Sequence, residues 1–401
     1  MYALVAHHYW GTPGGGQLVC AATAASLEAL GYKPVLTGTF KFDPAKYREW
    51  YGIDISKYPA VTFPIGAKAF GLWARLWVWR PAAKAIKKYK PSLVFIDEVT
   101  YKPLLKAKDF KLVEYIHFPF EVVVDPRFKG TGLAYGEDPY IMERYGKFPL
   151  NLYWKVFVAG LRRYMRDNPF HAADAVLVNS KWTAEVAEMV YGERPEILNP
   201  PLPPNVEIVE RPRPFEERRP IAVMLGRFSQ EKRYHWVVAE VAPKLFKEVP
   251  EAKLVIFGGA ATPTLQAYKE RVKALAQKAG LKVAESLEAE AQVYLIANAP
   301  RRLINQVMDG ARAFFHATIN EHWGIAVAEA MARGLPPVVH KSGGTWTDLA
   351  EEGRYGLGYE TAEEAVICLA KTLTERTGID PREKVKSLHI GNYTNKLKVY
   401  L

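Results

Sequence analysis

Short apolar runs recur along both halves of the chain, and stretches with helical spacing follow them. The pattern predicts buried strands over residues 3–6, 93–96, 113–116, 221–225 and 336–340. Strands that alternate with helices are typical of parallel sheets covered by helices on both faces. The sequence therefore predicts an α/β protein with two doubly wound, Rossmann-like domains.

The boundary between the two domains is predicted from composition. Residues 202–219 contain four prolines among charged side chains, as exposed linkers do. The chain has 401 residues, of which 49% are hydrophobic, enough for two separate cores. The predicted segments are a first domain over 1–201, a linker over 202–219, a second domain over 220–382 and a final segment over 383–401 that is too short to be a domain.

Two glutamates flank a glycine after an apolar run in the second half. We expect a helix to begin near Gly324, with Glu321 just before it and Glu329 on its second turn, about 7 Å along the axis. Free amide groups at the helix start can bind anions and hydroxyl groups, and carboxylates accept paired hydrogen bonds from vicinal diols. The spacing favours a nucleotide-sugar site, with Glu329 on the ribose. A capped surface helix with two solvated glutamates is the alternative.

Cations and glycines surround this segment. Arg227 and Lys232 follow the strand over 221–225, and a guanidinium fork with an ammonium group suits a diphosphate. Gly226 precedes them. Downstream, Ser342 and Gly343 form a turn that allows close approach of the backbone to a ligand.

The first half contains a second group of candidates. A glycine-rich loop that includes Gly15 and Gly16 follows the first strand, where open α/β sheets bind ligands. His117 follows another strand, and Asp97 and Glu98 follow a third. Simple turn chemistry, a structural histidine and a capping pair are the respective alternatives.

Several motifs resemble one enzyme family. Glu-His-Trp-Gly-Ile from Glu321, the later Glu329 and Ser-Gly-Gly from Ser342 are similar to the C-terminal half of retaining glycosyltransferases of family 4. Within that family they are most similar to the α-1,2-mannosyltransferases that extend dolichol-linked oligosaccharides, which have Phe where this chain has Trp323. Residues 115–119, 173–183 and 199–201 extend the resemblance into the first half.

The resemblance implies a GT-B fold, in which two Rossmann-like domains face each other across a cleft. It also implies that the final segment, residues 383–401, crosses back and packs on the first domain. It implies retaining transfer of a hexose, with mannose favoured, from a nucleotide diphosphate sugar such as GDP-mannose or a UDP-sugar. The acceptor would be a glycan or a lipid-linked glycan. The expected catalytic residues are Arg227, Lys232, Glu321 and His117. The expected donor-binding residues are Gly15, Gly16, Gly226, Trp323, Gly324, Ile325, Glu329, Ser342 and Gly343.

We expect no cofactor and no metal, because no Asp-x-Asp motif lies beside the donor loops and Arg227 and Lys232 can replace a divalent ion. The formal net charge of +11 favours an anionic partner: the nucleotide-sugar, a lipid phosphate, a membrane surface or nucleic acid. No recognisable nucleic-acid-binding motif is present, and that class leaves the paired glutamates unexplained, so nucleic acid is not predicted as a partner.

Two aromatic and basic stretches favour contact with an anionic membrane surface. One contains Trp73, Trp77, Arg80, Lys87 and Lys88, and the other spans residues 150–166. A core helix with a basic end is the alternative for the first stretch, and an enzyme of the same fold with a soluble acceptor is the alternative for the whole chain. No apolar run reaches 18 residues, and two distant cysteines suit a reducing compartment. We therefore expect the protein in the cytoplasm, free or on the cytoplasmic face of a membrane.

Overall fold

The computed structural model describes residues 1–65, 71–106, 108–128, 130–133 and 145–401. The chain forms two compact units. The first contains the described residues up to Val206 and also Leu388–Leu401, and the second contains Glu207–Ser387.

The first unit is built on a parallel seven-stranded sheet with the strand order β3-β2-β1-β4-β5-β6-β7. Its strands are β1 (Tyr2–Ala6), β2 (Lys33–Thr37), β3 (Ala60–Val61), β4 (Leu93–Asp97), β5 (Lys111–Ile116), β6 (Ala175–Val178) and β7 (Glu196–Ile197). Its helices are α1 (Gly15–Ala29), α2 (Lys46–Tyr51), α3 (Gly71–Trp77), α4 (Trp79–Tyr89), α5 (Lys102–Leu105), α6 (Glu121–Val124), α7 (Leu150–Tyr164), α8 (Pro169–Ala172) and α9 (Lys181–Tyr191), with a 3₁₀ turn at Pro126–Phe128.

The second unit repeats this architecture with the strand order β10-β11-β9-β8-β12-β13-β14, again parallel. Its strands are β8 (Arg219–Arg227), β9 (Lys253–Gly259), β10 (Val283–Ala284), β11 (Val293–Ala297), β12 (Ala311–His316), β13 (Pro337–His340) and β14 (Leu357–Tyr359). Its α-helices are α10 (Tyr234–Trp236), α11 (Ala242–Glu248), α12 (Pro263–Lys278), α13 (Arg301–Gly310), α14 (Ile325–Ala332), α15 (Ala362–Thr374) and α16 (Arg382–Lys386). The 3₁₀ turns are Phe215–Glu217, Gln230–Lys232 and Glu351–Gly353, and the π-helical stretches are Val237–Val241 and Thr345–Leu349.

The last helix, α17 (Ile390–Lys398), belongs to the first unit and packs on α1. The Thr23 and Tyr393 hydroxyls are 2.7 Å apart, and Leu397 is fully buried. The crossing back of the chain begins at Leu388 and not at residue 383, because α16 packs against α14 within the second unit. The predicted linker is likewise divided, since residues 202–206 belong to the first unit and residues 207–219 to the second.

Buried strands explain why each unit has its own core. The four residues 3–6 of β1 are buried, as are all five residues of β4, which fits strands covered on both faces. The five predicted strands are all present, and the prediction of two Rossmann-like domains is confirmed. In each sheet the strand order reverses once beside the first strand of the unit, at β1/β4 and at β8/β12. Open α/β sheets bind ligands at the carboxyl ends of the strands at such a reversal.

Candidate active site

The described residues of each unit place a cluster of polar side chains at this reversal point. In the second unit the cluster is centred on Glu321, which follows β12 and precedes α14. Lys232, at the end of the 3₁₀ turn after β8, donates to Glu321 Oε2 at 2.5 Å. His316, the last residue of β12, lies with Nε2 at 3.1 Å from the same oxygen. The carboxylate is therefore held by groups from two strands that are neighbours in the sheet.

The charge states in this cluster follow from burial and pairing. Burial opposes ionisation of Glu321, but Lys232 and the His316 hydrogen bond outweigh it and hold the pKa of this carboxyl well below its usual range. Burial, assisted by Lys232, lowers the pKa of His316. At neutral pH His316 is therefore uncharged, and it donates to Glu321 when its proton is on Nε2. Glu321 remains a carboxylate that can accept hydroxyl groups.

Helix α14 begins where the sequence predicts. Gly324 is its N-cap with φ 92°, and Ile325 is its first residue. Glu329 lies on the second turn and is nearly buried, and Arg301 of α13 donates to its two carboxylate oxygens at 2.7 and 3.4 Å. Trp323 is buried, with 5% of its surface exposed. Its indole therefore has little free surface to offer a ligand.

The turn after β13 forms hydrogen bonds with the backbone at Asn320 and Glu321. Ser342 Oγ accepts from the Asn320 amide at 2.8 Å, and the Gly344 amide donates to the Glu321 carbonyl at 2.8 Å. Gly343 has φ 73°, and a Cβ atom there would lie 2.3 Å from the Glu321 carbonyl oxygen. We expected Ser342 and Gly343 to bind the donor, and in this structure their contacts position the Glu321 backbone.

Arg227 differs from Lys232 in its surroundings. It ends β8 with 71% of its side chain exposed, and it donates to Glu231 at 3.1 Å. Gly226 lies just before it, where a Cβ atom would be 2.9 Å from the Tyr234 hydroxyl. Arg227 is thus free to turn towards a ligand, whereas Lys232 is already oriented by Glu321.

Residues that sequence reasoning missed complete this cluster. Arg233 has a positive φ of 54°, its guanidinium lies 4.1 Å from the Trp236 ring centroid, and it donates to the Ala317 carbonyl. His316 carries the signal that singled out His117, a histidine at the end of an apolar strand. Arg301 carries no such signal, because it is brought to Glu329 from another helix.

The cluster in the first unit is centred on Asp97, the last residue of β4. His7, just after β1, lies with Nδ1 at 2.6 Å from Asp97 Oδ2, and His117, just after β5, lies with Nε2 at 2.7 Å from Asp97 Oδ1. A Cβ atom on Gly16 would lie 3.0 Å from His7 and 3.3 Å from His117. The first turn of α1, which begins at Gly15, therefore covers the cluster so closely that a side chain at residue 16 would crowd it.

The electrostatics of this cluster favour a charged pair. Burial opposes ionisation of Asp97, but His117 and His7 outweigh it and hold the pKa of the Asp97 carboxyl well below its usual range. Burial would lower the pKa of His117, but Asp97 outweighs it and raises that pKa above the ordinary value. His117 therefore retains a proton more readily than an isolated histidine does, and the Asp97 bond fixes its ring orientation.

Glu98 and His8 lie beside this cluster. Glu98 has a φ of 73°, which is uncommon for a residue with a side chain, and it pairs with Arg75. His8 Nδ1 is 3.5 Å from Glu98. Burial, assisted by Arg75, lowers the pKa of His8 well below its usual range. Both acidic candidates of the sequence thus have charged or titratable partners at the same edge of the sheet.

Two sets of side chains are close enough to share an ion. The potential ligand atoms of His7, Cys20 and Asp97 lie within 4.8 Å of one another, as do those of His8, Asp97 and Glu98. Both sets depend on Asp97, and each of its oxygens is already engaged by a histidine. These two hydrogen bonds account for the close approach of His7 and His117 to Asp97.

The aromatic and basic candidates lie on the surface of the first unit. Trp73 and Trp77 share α3, with ring centroids 5.1 Å apart, and Trp77 is 38% exposed. Arg80, Lys87 and Lys88 are exposed on α4. Trp79 begins α4, packs against Tyr164 and is half-buried. Residue 70, the first of this stretch, lies outside the described residues. None of the described helices is both long and apolar enough to cross a bilayer.

Two parallel Rossmann-like units with polar clusters at their strand reversals define a GT-B protein. The family described as "Glycosyl transferases group 1" matches residues 206–375, and the one described as "Glycosyltransferase Family 4" matches residues 13–204. The chain belongs to the GT-B glycosyltransferases of this group, and the expected resemblance is confirmed.

Two curated relatives carry the same description, "GDP-Man:Man(3)GlcNAc(2)-PP-Dol alpha-1,2-mannosyltransferase". The Dictyostelium discoideum protein is 24% identical over 387 residues, covering 90% of this chain and 71% of that protein. The Eremothecium gossypii protein is 26% identical over 200 residues, covering 49% of this chain and 32% of that protein. The match thus spans about a third of the second relative.

Among solved structures, Anabaena Alr3699/HepE in complex with UDP and glucose is similar, with a TM-score of 0.64 and 16% identity. The match covers 100% of this chain and 98% of that one. At this identity the likeness supports the fold alone.

Proposed function

We propose that the protein is a retaining mannosyltransferase that uses GDP-mannose and extends a lipid-linked oligosaccharide. The observation that carries this proposal is the Lys232–Glu321 pair at the start of α14, where a cation, a low-pKa carboxylate and helix-terminal amides adjoin. The description of the curated relatives supports the choice of mannose, GDP and a lipid-linked acceptor.

In the proposed reaction the bond from the anomeric carbon to the donor diphosphate breaks as charge develops on the diphosphate. Lys232 and Arg227 stabilise that charge, which is the main catalytic effect these residues can supply. The acceptor hydroxyl forms the new bond to the anomeric carbon on the same face, and its proton passes to the departing diphosphate. Glu321 accepts hydroxyl groups of the sugar, and Glu329 those of the ribose. We propose that no metal is required.

We propose that His117 positions the donor sugar and that Asp97 orients His117. A histidine fixed by a buried carboxylate presents one defined ring orientation, which suits recognition of a hydroxyl group. The Asp97 bond engages Nε2, so the group that remains for a ligand is on the other side of the ring.

A panel of nucleotide-sugars tests the donor. GDP-mannose should raise the melting temperature of the full chain more than GDP-glucose, UDP-glucose or UDP-galactose, because a ligand bound only to the folded state stabilises it by mass action. Glu329→Gln should weaken donor binding by about 1.5–3 kcal/mol, since it removes a charged acceptor. Glu352→Gln, an exposed change in the same unit, is the control. A larger shift with a UDP-sugar would overturn the choice of GDP.

We further propose that the first unit docks on an anionic membrane. Large apolar side chains are exposed at the start of α7 and just before it: Phe148 at 80%, Leu150 at 42%, Leu152 at 55% and Val156 at 48%. Helix α7 packs against α3, which carries Trp77. Helix α4 also packs against α3, and it carries the exposed cations Arg80, Lys87 and Lys88. Exposed apolar and basic side chains on one unit are typical of proteins that lie at a membrane interface.

Vesicle sedimentation tests this surface. Two double variants should each reduce binding to vesicles that contain anionic lipid: Leu152→Ser with Val156→Ser, and Lys87→Glu with Lys88→Glu. For the lysine substitutions, the expected loss of binding free energy is about 1 kcal/mol per charge. The matched control is Lys396→Glu with Lys398→Glu, two exposed lysines on α17 of the same unit. Normal vesicle binding by both test variants, with folding intact, would exclude this surface as the docking site, and an absence of vesicle binding by the wild type would favour a soluble acceptor.

A further inference from the structure

A cavity of about 270 Å³ lies within the second unit, away from Lys232 and Glu321. It is lined by residues 212–215 and Arg218 before β8, by Arg312 at the start of β12, by Pro336 before β13, and by residues 375–382 after α15. The strands of a parallel sheet all begin at one edge. The cavity is therefore at the amino edge of the sheet, opposite the carboxyl edge where Lys232, His316 and Glu321 lie.

The charge of the cavity is strongly positive. Its lining contains five arginines and two carboxylates, an excess of three positive charges. The arginines are Arg213, Arg218, Arg312, Arg376 and Arg382, and the carboxylates are Glu375 and Asp380. Arg382 donates to Asp380 at 2.6 and 2.9 Å. Within the part of the chain that the structure describes, the other four arginines have no ion pair with a carboxylate.

Two of these guanidinium groups are held in place by uncharged partners. Arg218 is buried, and it donates to the carbonyls of Arg213, Ala311 and Gly334 at 2.8, 3.3 and 3.1 Å. Burial lowers the pKa of Arg218, Asp309 opposes this, and Arg382 and Arg213 lower it further. The cost of burying this cation is thus met by carbonyl dipoles and not by a counter-charge.

Arg312 has a donor to spare. Its guanidinium lies 4.0 Å from the Phe215 ring centroid, and one Nη donates to the Leu373 carbonyl at 2.7 Å. Its Nε atom is buried and has no hydrogen-bond partner among the described residues. Arg312 therefore adds a positive charge to the lining without a carboxylate partner among the described residues.

We propose that this cavity binds a phosphate-bearing anion of about the size of pyrophosphate, at a site separate from the nucleotide-sugar site. Guanidinium forks match phosphate oxygens in geometry and charge, and an excess of three positive charges suits a multiply charged anion. The bound anion ties residues 212–218, by which the chain enters the second unit, to residues 375–382, after which it leaves that unit. It therefore stabilises the second unit.

Titration calorimetry of the full chain with pyrophosphate tests the proposal. Because the donor site also accepts phosphates, the titration is repeated on Arg227→Ala with Lys232→Ala, which should retain the cavity site. Arg213→Gln with Arg376→Gln removes two exposed cations of the lining without disturbing the core, and it should weaken pyrophosphate binding roughly tenfold or more in that background. Arg302→Gln with Arg354→Gln, exposed arginines of the same unit outside the cavity, should leave binding unchanged.

Three outcomes would overturn the proposal. Pyrophosphate binding that disappears in the Arg227 and Lys232 variant alone assigns the anion to the donor site. If both arginine double variants lost pyrophosphate affinity equally, or if chloride at matched ionic strength gave the same heat of binding as pyrophosphate, the effect would be general charge screening. Unchanged affinity in the Arg213 and Arg376 variant excludes the cavity, and circular dichroism confirms that each variant is folded.

Discussion

At the residue scale, each cluster is organised around one carboxylate that has more than one partner. Glu321 is shared by Lys232 and His316, and Asp97 is shared by His7 and His117. A carboxylate with two partners has its orientation fixed by both, and it fixes them in turn. Removing one partner therefore changes the protonation and the position of the other.

Lys232→Ala should chiefly lower turnover, by about 10²-fold or more, because the ammonium interaction strengthens as charge develops on the departing diphosphate. The loss of Lys232 should also raise the pKa of Glu321. Steady-state kcat and KM for the donor measure the effect. The control is Lys244→Ala, which breaks an exposed pair with Glu363 in the same unit. A change in KM with normal kcat would contradict the leaving-group role.

The Asp97–His117 pair predicts a pH dependence of stability. His117 has a raised pKa in the folded protein, so its contribution is complete below its ordinary value of 6.5 and is lost as the pH rises through the folded value. Asp97 has a lowered pKa, so its contribution is complete above its ordinary value of 3.8 and is lost as the pH falls through the folded value. The pair therefore stabilises the fold most between pH 3.8 and 6.5.

Urea unfolding from about pH 5 to about pH 9 tests this dependence. The difference in unfolding free energy between the wild type and Asp97→Asn should be largest at the acidic end and should shrink as the pH rises. Asp167→Asn, an exposed aspartate in the same unit, should show no such trend. If the difference in unfolding free energy grew towards alkaline pH, the contact with Asp97 would not raise the pKa of His117.

At the element scale, the site depends on turns that bring strand ends against one another. The turn that follows β13 packs on the backbone between β12 and α14, so Glu321 is positioned by a neighbouring strand connection. This contact is close enough to exclude any side chain at Gly343.

Gly343→Ala should destabilise the second unit by about 1–3 kcal/mol. The alanine would be strained at a positive φ, and its Cβ atom would clash with the Glu321 backbone. It should also weaken donor binding, since Glu321 must move. Gly280→Ala separates the two effects, because Gly280 has φ 78° and open space around it. Equal losses of stability and donor affinity in both variants would show that the clash has no role.

At the scale of the whole molecule, the last residues of the chain complete the first unit. Tyr393 and Leu397 are buried within that unit, and the Ser26 and Thr394 hydroxyls are 2.7 Å apart. Helix α1, whose first turn covers the Asp97 cluster, thus depends for its packing on residues more than 350 positions away in the sequence.

Deletion of Leu388–Leu401 should lower the melting temperature of the first unit, because it exposes the face of α1 that α17 covers. Donor-induced stabilisation should persist, since the residues proposed to bind the nucleotide are in the second unit. Differential scanning calorimetry with and without GDP-mannose measures both. Deletion of residues 399–401 alone removes the exposed Val399 and should have little effect. An unchanged melting temperature after the longer deletion would contradict the structural role of α17.

Local patterns determined the elements of this protein. Apolar runs flanked by glycine and polar residues predict strands from local sequence, because a strand that is covered on both faces needs apolar side chains at successive positions. The sequence also predicted the helix start at Gly324 and contained the family motifs in the expected order. These patterns predicted the two domains, the positions of Glu321 and His117 next to strand or helix ends, and the position of Glu329 on the second turn of α14.

The tertiary structure alone decided which side chains meet. Lys232 and Glu321 are 89 residues apart and His7 and Asp97 are 90 apart, yet they are in contact because their strands are neighbours at a reversal of the sheet. Arg301 reaches Glu329 from another helix. A one-dimensional pattern contains the identity of each partner and not the register that brings them together, because register arises from the packing of whole elements.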